Sequence, residues 1–80
     1  MAFLSKEELD KLGFGKLGVN VSISRKASIY RPDKITLGNN VRIDDFCVLS
    51  AGDEGIEIGD YIHIGVYSCL IGKGKIILSD

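Results

Sequence analysis

The eighty-residue sequence has no apolar run approaching the roughly 20 residues that a membrane-spanning helix needs. Its N-terminal MAFLSKEELDK carries charges where a secretory signal has its apolar centre, so the expected location is cytoplasmic. Neither sign of charge dominates: 10 Lys and Arg against 11 Asp and Glu give a net charge of −1. The basic residues are scattered, which excludes a nucleic-acid patch or a membrane-binding arm. Cysteine is scarce. Cys47 and Cys69 lie in apolar stretches without the Cys-x-x-Cys spacing of a zinc or redox site, and both are expected to be small buried packing residues. Histidine occurs once, as His63, which cannot supply a three-histidine zinc site, and no metal is expected. Length sets a further limit, because chains this short bury only about 60% of their unfolded surface and profit from oligomerisation.

What is present begins with one short helix. Ser5 to Glu8 forms a Ser-x-x-Glu capping box, Leu9 and Leu12 share a helical face, and Gly13 is a natural stop, which predicts a helix over roughly Lys6 to Leu12. A helix of that length is marginal in water, so its leucine face is expected to dock over a neighbouring apolar end.

Beyond Gly18 the sequence repeats. In IEIGDYIHIG, Ile58 and Ile64 stand six apart with a glycine behind each, a spacing that fits neither the two-residue period of a strand nor the 3.6 of a helix. Aliphatic residues recur by six in three trios: Ile23, Ile29, Ile35; Leu37, Ile43, Leu49; and Ile58, Ile64, Leu70. A longer period overlies the short one in KITLGNN, GIEIGDY and KIILSD: from Ile35 to Ile56 is 21 residues, and from Ile56 to Ile76 is 20. Repetition of this kind marks a solenoid whose units cover one another.

Three six-residue faces make a triangular coil, with the extra residues bulging at a corner, as SAGDEG (Ser50 to Gly55) and GKGK (Gly72 to Lys75) suggest. Sharp corners favour residues that tolerate positive φ, and Gly38, Asn39, Asn40, Gly59, Asp60 and Gly65 are so placed. The head of each hexad points inward, and a smaller inward residue follows four positions on, as at Ala27, Val41, Cys47, Ile62 and Ser68.

The pattern carried by LGNNVR, IGDYIH and IGVYSC resembles the hexapeptide repeat of the left-handed parallel β-helix. In particular it is similar to bacterial sugar and galactoside O-acetyltransferases and related acyltransferases of surface-polysaccharide synthesis. The resemblance runs from about Val19 to the end and divides the chain into a capping helix and lead-in (1–18) and a β-helix of about three coils (19–80). It implies a homotrimer with active sites between subunits. It also implies transfer of an acetyl group from acetyl-CoA to a sugar hydroxyl or amine, with a histidine as general base. His63 lies at an outward hexad position, whereas the galactoside-type histidine follows the turn after SCLIG, which here reads GKGK with Lys73 and Lys75. The base is therefore unassigned, with His63 the one candidate.

Because the chain stops as another coil opens, it reads as the N-terminal part of such an enzyme, inactive alone and with its coenzyme site outside it. The alternative is a non-catalytic β-helix module for assembly or binding. The residues Asp44, Asp45 and Phe46 of RIDDF fall where galactoside-type members place an acceptor-contacting segment, and paired carboxylates can hold sugar hydroxyls. Arg42, a further candidate for acceptor binding, and His63 occupy equivalent places in successive coils and should stack on one outer face, a trimer interface or a cleft wall, while Tyr61 and Tyr67 are expected as outward aromatics in subunit contacts.

Overall fold

The computed structural model describes residues 2–79, so Asp80, which closes the last repeat motif, lies outside the described residues. Among the described residues one α-helix, α1 (Lys6–Leu12), precedes ten short strands. These are β1 (Lys16–Leu17), β2 (Ser22–Ile23), β3 (Ser28–Tyr30), β4 (Ile35–Leu37), β5 (Arg42–Ile43), β6 (Val48–Ser50), β7 (Ile56–Ile58), β8 (His63–Ile64), β9 (Cys69–Ile71) and β10 (Ile76–Leu78). Each strand pairs in parallel with the one three places on, giving three sheets: β1-β4-β7-β10, β2-β5-β8 and β3-β6-β9. Cycling through three sheets in turn is a parallel β-solenoid, and β1 places its first strand ahead of Val19.

The register turns the six-residue period into vertical stacks. Leu17, Leu37, Ile58 and Leu78 align, as do Ile23, Ile43 and Ile64, and Ile29, Leu49 and Leu70. Ile35, Ile56 and Ile76 form a fourth stack, which corrects the phase of the first expected trio alone; Leu37, Ile43, Leu49 and Ile58, Ile64, Leu70 stand as expected. Leu17 heads the first face, and Ile35 shares β4 with Leu37 two residues on, where both side chains point inward. The cause lies in the third corner, where Pro32–Lys34 forms a 3-10 turn in the first coil and SAGDEG and GKGK bulge in the next two. The added residues at that corner convert 18 into the observed 20 and 21.

Ile23, Ile35, Ile43, Cys47 and Leu49 are completely buried, and Val41, Leu37 and Ile56 nearly so. Cys47 fills the small inward position, its thiol 3.0 Å from the Gly65 carbonyl oxygen. Cys69 corrects the expectation of two buried cysteines: Leu70 is the inward residue of β9, so strand alternation turns Cys69 out to solvent.

Corner glycines serve a purpose other than the one expected. Positive φ belongs to Asn20, Asn40 and Tyr61 at one corner and to Phe46 and Tyr67 at the next, whereas Gly38, Gly59 and Gly65 lie outside the left-handed region. Gly18, Gly38 and Gly59 stack on one another, and a Cβ on Gly38 would lie 2.7 Å from the Gly59 carbonyl oxygen. Close approach of successive coils therefore selects glycine there. Asn39 and Asp60 also act between coils: Asn39 Oδ1 accepts from the Val19 amide at 2.8 Å, and Asp60 Oδ1 accepts from the Asn39 amide at 2.7 Å.

The N-terminal segment covers the first coil. Leu4 donates its amide to the Ile23 carbonyl at 2.8 Å, Arg25 donates to the Ala2 carbonyl at 2.9 Å, and Phe3 forms an antiparallel bridge with Ser24. These contacts occupy the free edge of β2, which would otherwise invite pairing with another chain. In α1 both halves of the capping box form between Ser5 and Glu8, and Gly13 closes the helix at φ 81°. Leu9 is buried against the solenoid, but Leu12 is more than a third exposed, so only one of the two leucines docks fully. Arg25 grips Glu8 through both terminal guanidinium nitrogens, one contact being 2.7 Å, and pins the helix to the first coil.

Two outcomes test this account. Gly38→Ala should destabilise the fold by about 1–3 kcal/mol in denaturant unfolding, because its methyl group meets backbone that cannot move independently of the ladder. Gly65→Ala, where a Cβ meets nothing within 4 Å, should be tolerated. Hydrogen bonds from Arg25, and then from Ser5, lower the Glu8 carboxyl from 4.5 to about 2. A lowered carboxyl stabilises the folded state above the unfolded value and loses that effect as pH falls through the folded one. Hydrogen-exchange protection of α1 should accordingly decline between pH 4.5 and about 2, and Arg25→Gln should move that decline to higher pH.

Candidate functional site

The candidate residues lie where β5 and β8 run into the second corner. In a two-residue strand one side chain enters the core and its neighbour leaves it, so burial of Ile43 and Ile64 forces Arg42 and His63 outward. Register places Arg42 beside His63, with Ser22 beside Arg42 on the first coil. The expected stack on one outer face is thus present.

Asp44 follows immediately and turns back toward this column. Its amide donates to the Ile64 carbonyl at 3.0 Å, which seats the residue at 6% exposure. A carboxylate so placed needs partners, and it has two. Arg42 Nε donates to Oδ1 at 2.8 Å, and His63 Nε2 lies 2.7 Å from Oδ2. Hydrogen bonding from Arg42, and then from His63, holds the Asp44 carboxyl below its ordinary value of 3.8. As a carboxylate, Asp44 only accepts, so the His63 nitrogen facing it carries the proton and Nδ1 of the neutral ring is the accepting atom. The His63 side chain is 59% exposed. The Arg42 guanidinium also lies 5.5 Å from the Phe3 ring centroid, so the lead-in segment reaches the same cluster.

The neighbouring residues of RIDDF go elsewhere. Asp45 accepts a hydrogen bond from the Ser24 hydroxyl, whose oxygen in turn accepts from the Lys26 amide at 3.0 Å. The two carboxylates therefore diverge, one to the β5–β8 face and one to the first coil's corner. Phe46 stands at φ 62° and stacks on Tyr67, also at φ 62°, with centroids 5.3 Å apart and planes 13° from parallel. The Lys26 ammonium lies 5.5 Å from the Phe46 centroid on the coil below. Left-handed backbone costs a non-glycine residue about 1–3 kcal/mol.

Sequence reasoning brought Arg42 and His63 together but missed Ser24, Lys26 and the pairing of Phe46 with Tyr67. The signal was available: Lys26 to Phe46 is 20 residues and Phe46 to Tyr67 is 21, the same steps that align the core. Two surface hollows lie apart from this cluster, one near 320 Å³ along Thr36, Glu57 and Ile77, the other near 330 Å³ beside Leu4, Leu9 and Val21. Neither is lined by Arg42, Asp44 or His63.

No protein-family profile matches the sequence. Over all 80 residues the chain is 61% identical to a dTDP-4-amino-4,6-dideoxy-D-glucose acyltransferase of Escherichia coli, and it spans 42% of that protein's length. It also matches crystal structures of AntD, an N-acyltransferase from Bacillus cereus. Against AntD in complex with dTDP and 3-hydroxybutyryl-CoA the TM-score is 0.83 at 55% identity, over 94% of this chain and 38% of that one. A variant of AntD in complex with dTDP-4-amino-4,6-dideoxyglucose and coenzyme A gives the same TM-score, identity and coverage. The chain therefore spans less than half the length of these relatives. AntD is an N-acyltransferase, which of the two expected acceptors corresponds to the amine.

The geometry around Asp44 sets an expected titration. Carbon-detected NMR should place the Asp44 carboxyl below 3.8, and Arg42→Leu should raise it toward that value. The stabilising effect of Asp44 is then present above the ordinary carboxylate range and fades as pH falls through the lowered folded value. Removing Arg42 should shift that loss of stability to higher pH.

Proposed function

We propose that these eighty residues, homologous throughout to dTDP-amino sugar acyltransferases, form the acceptor-side coils of an enzyme that moves an acyl group from acyl-CoA to the amine of a dTDP-linked sugar. The observation that carries this reading is the 61% identity over the whole chain, a span that contains the outward Arg42, Asp44 and His63 as well as the core. In the reaction the sugar nitrogen attacks the thioester carbonyl, the new C–N bond forms, the coenzyme thiolate leaves, and the nitrogen gives up a proton.

The residues of this chain bind and orient. Arg42 and the imidazole of His63 present donor and acceptor groups to the sugar nucleotide, and Asp44 fixes both. Holding two hydrogen-bonding groups in one geometry before substrate arrives lowers the entropy lost on binding. The cluster needs a second wall to exclude water, and a neighbouring subunit of a homotrimer supplies one. The general base is left unassigned, and coenzyme A is bound by residues outside these eighty. A dTDP-linked sugar is an activated donor for glycosyl transfer, which fits a cytoplasmic role ahead of surface-polysaccharide assembly.

A chimera tests the reading. When these residues replace the matching segment of the Escherichia coli relative, the hybrid should acylate dTDP-4-amino-4,6-dideoxyglucose with a kcat/KM within about tenfold of the parent. Arg42→Ala in the hybrid should raise KM for the sugar nucleotide by about tenfold, a loss of about 1.4 kcal/mol of binding. The isolated chain should bind no coenzyme A by calorimetry. A hybrid that folds and assembles without acyl transfer would instead mark the segment as an assembly module.

A further inference from the structure

We infer that Phe3 is a positioning residue for the acceptor site: its ring backs the Arg42 guanidinium and fixes the arrangement in which Arg42 meets the sugar nucleotide, a role that rests on the preceding reading of Arg42 as an acceptor contact.

The N-terminal segment runs antiparallel to β2, with Phe3 opposite Ser24 and the Leu4 amide on the Ile23 carbonyl. Successive side chains of an extended segment leave it on opposite sides. Leu4 takes the inner side and packs against the buried core, whereas Phe3 does not join that core and lies half-buried, its ring centroid 5.5 Å from Arg42 Cζ. Closing the first coil therefore accounts for Leu4 and leaves the ring at position 3 unexplained. The face that the ring reaches has room for it. Arg42 and His63 are large, while the first coil puts Ser22 in the same column, and that outward serine is half-buried. One residue holds the segment at both ends, since Arg25 donates its amide to the Ala2 carbonyl at 2.9 Å and its guanidinium to Glu8.

Arg42 gains from such support. Its side chain is 52% exposed, and a long side chain so placed loses rotamer freedom when it closes on a ligand. The Asp44 carboxylate holds Nε at 2.8 Å and the Phe3 ring supports the guanidinium carbon, so the two contacts fix the group through different atoms before substrate arrives. Phe3, Ser22, Arg42 and Asp44 all belong to the N-terminal segment or the first two coils.

Steady-state kinetics of the chimera test this role. Phe3→Leu, which keeps an apolar side chain and removes the π-face, should raise KM for dTDP-4-amino-4,6-dideoxyglucose about threefold, with kcat and the KM for acyl-CoA unchanged. Phe3→Tyr should keep the KM of the unaltered chimera. Because Phe3 acts through Arg42, Phe3→Leu should add nothing in an Arg42→Ala background. NMR gives a reading that needs no turnover: the ring current should displace the Arg42 Hδ and Hε signals in the unaltered and Phe3→Tyr chimeras, and Phe3→Leu should lose that displacement. An unchanged KM in Phe3→Leu, with the displacement lost, would overturn the positioning role. So would a KM increase that persists in the Arg42→Ala background, or one that tracks a fall in melting temperature and is shared by Phe3→Tyr, the signature of a purely capping contact. If Arg42→Ala leaves KM unchanged in an active chimera, the reading of Arg42 as an acceptor contact fails instead. The NMR signals then decide the contact alone, and no displacement in the unaltered chimera would overturn it.

Discussion

Everything in this molecule depends on the parallel hydrogen-bonded ladder that holds one coil against the next. A single coil of 20 or 21 residues contributes about six or seven inward side chains. Burying each larger one yields roughly 1.5–3 kcal/mol, whereas ordering the backbone costs about 1–2 kcal/mol per residue, so a lone coil does not fold. Stacked coils share their backbone bonds and cover both ends of each other's side chains, and the complete burial of Ile23, Ile43 and Leu49 is the result. The N-terminal segment belongs to the same logic, since Leu4, Phe3 and α1 close the first coil from below.

The ladder also dictates which residues the corners accept. Coils repeat at strand spacing, about 4.8 Å, so any atom projecting along the axis at a corner meets the corresponding corner of the next coil. Gly18, Gly38 and Gly59 answer this with no side chain at all, and Asn39 and Asp60 answer it by hydrogen bonding to the amide they approach. Aromatic rings answer it by stacking, as Phe46 does with Tyr67. Three chemically different solutions thus satisfy one geometric demand.

Much of the fold was legible because the core period is written in aliphatic residues that have no other reason to recur by six. The helix was equally legible from Ser5, Glu8 and Gly13, each with a local role. Less legible were features set by relations between coils. Cys69 stands beside Leu70 and Ile71 and reads as part of an apolar run, yet the inward slot of its strand is taken by Leu70. Gly38 and Gly59 read as turn formers, although what they relieve is crowding from a residue about twenty positions away. At the site, adjacency in sequence suggested that Asp44 and Asp45 act as a pair. Consecutive side chains at a corner diverge, and each carboxylate instead finds a partner on another coil, Asp44 in His63 and Asp45 in Ser24.

A functional site on such a scaffold is therefore a column rather than a loop. Position in the coil decides which way a side chain faces, and coil number decides its height, so chemistry can be added one residue at a time without disturbing the core. Asp44 illustrates the constraint that remains. A carboxylate at 6% exposure is held in its charged form by Arg42 and His63, so a change at either is felt at Asp44. Two of the three project from strands whose other residue, Ile43 or Ile64, is required by the core stack, which fixes their direction without any contribution from the site itself. Rigidity needed for orienting a substrate is in this way inherited from the ladder, and only the identity of the outward residues is left to function.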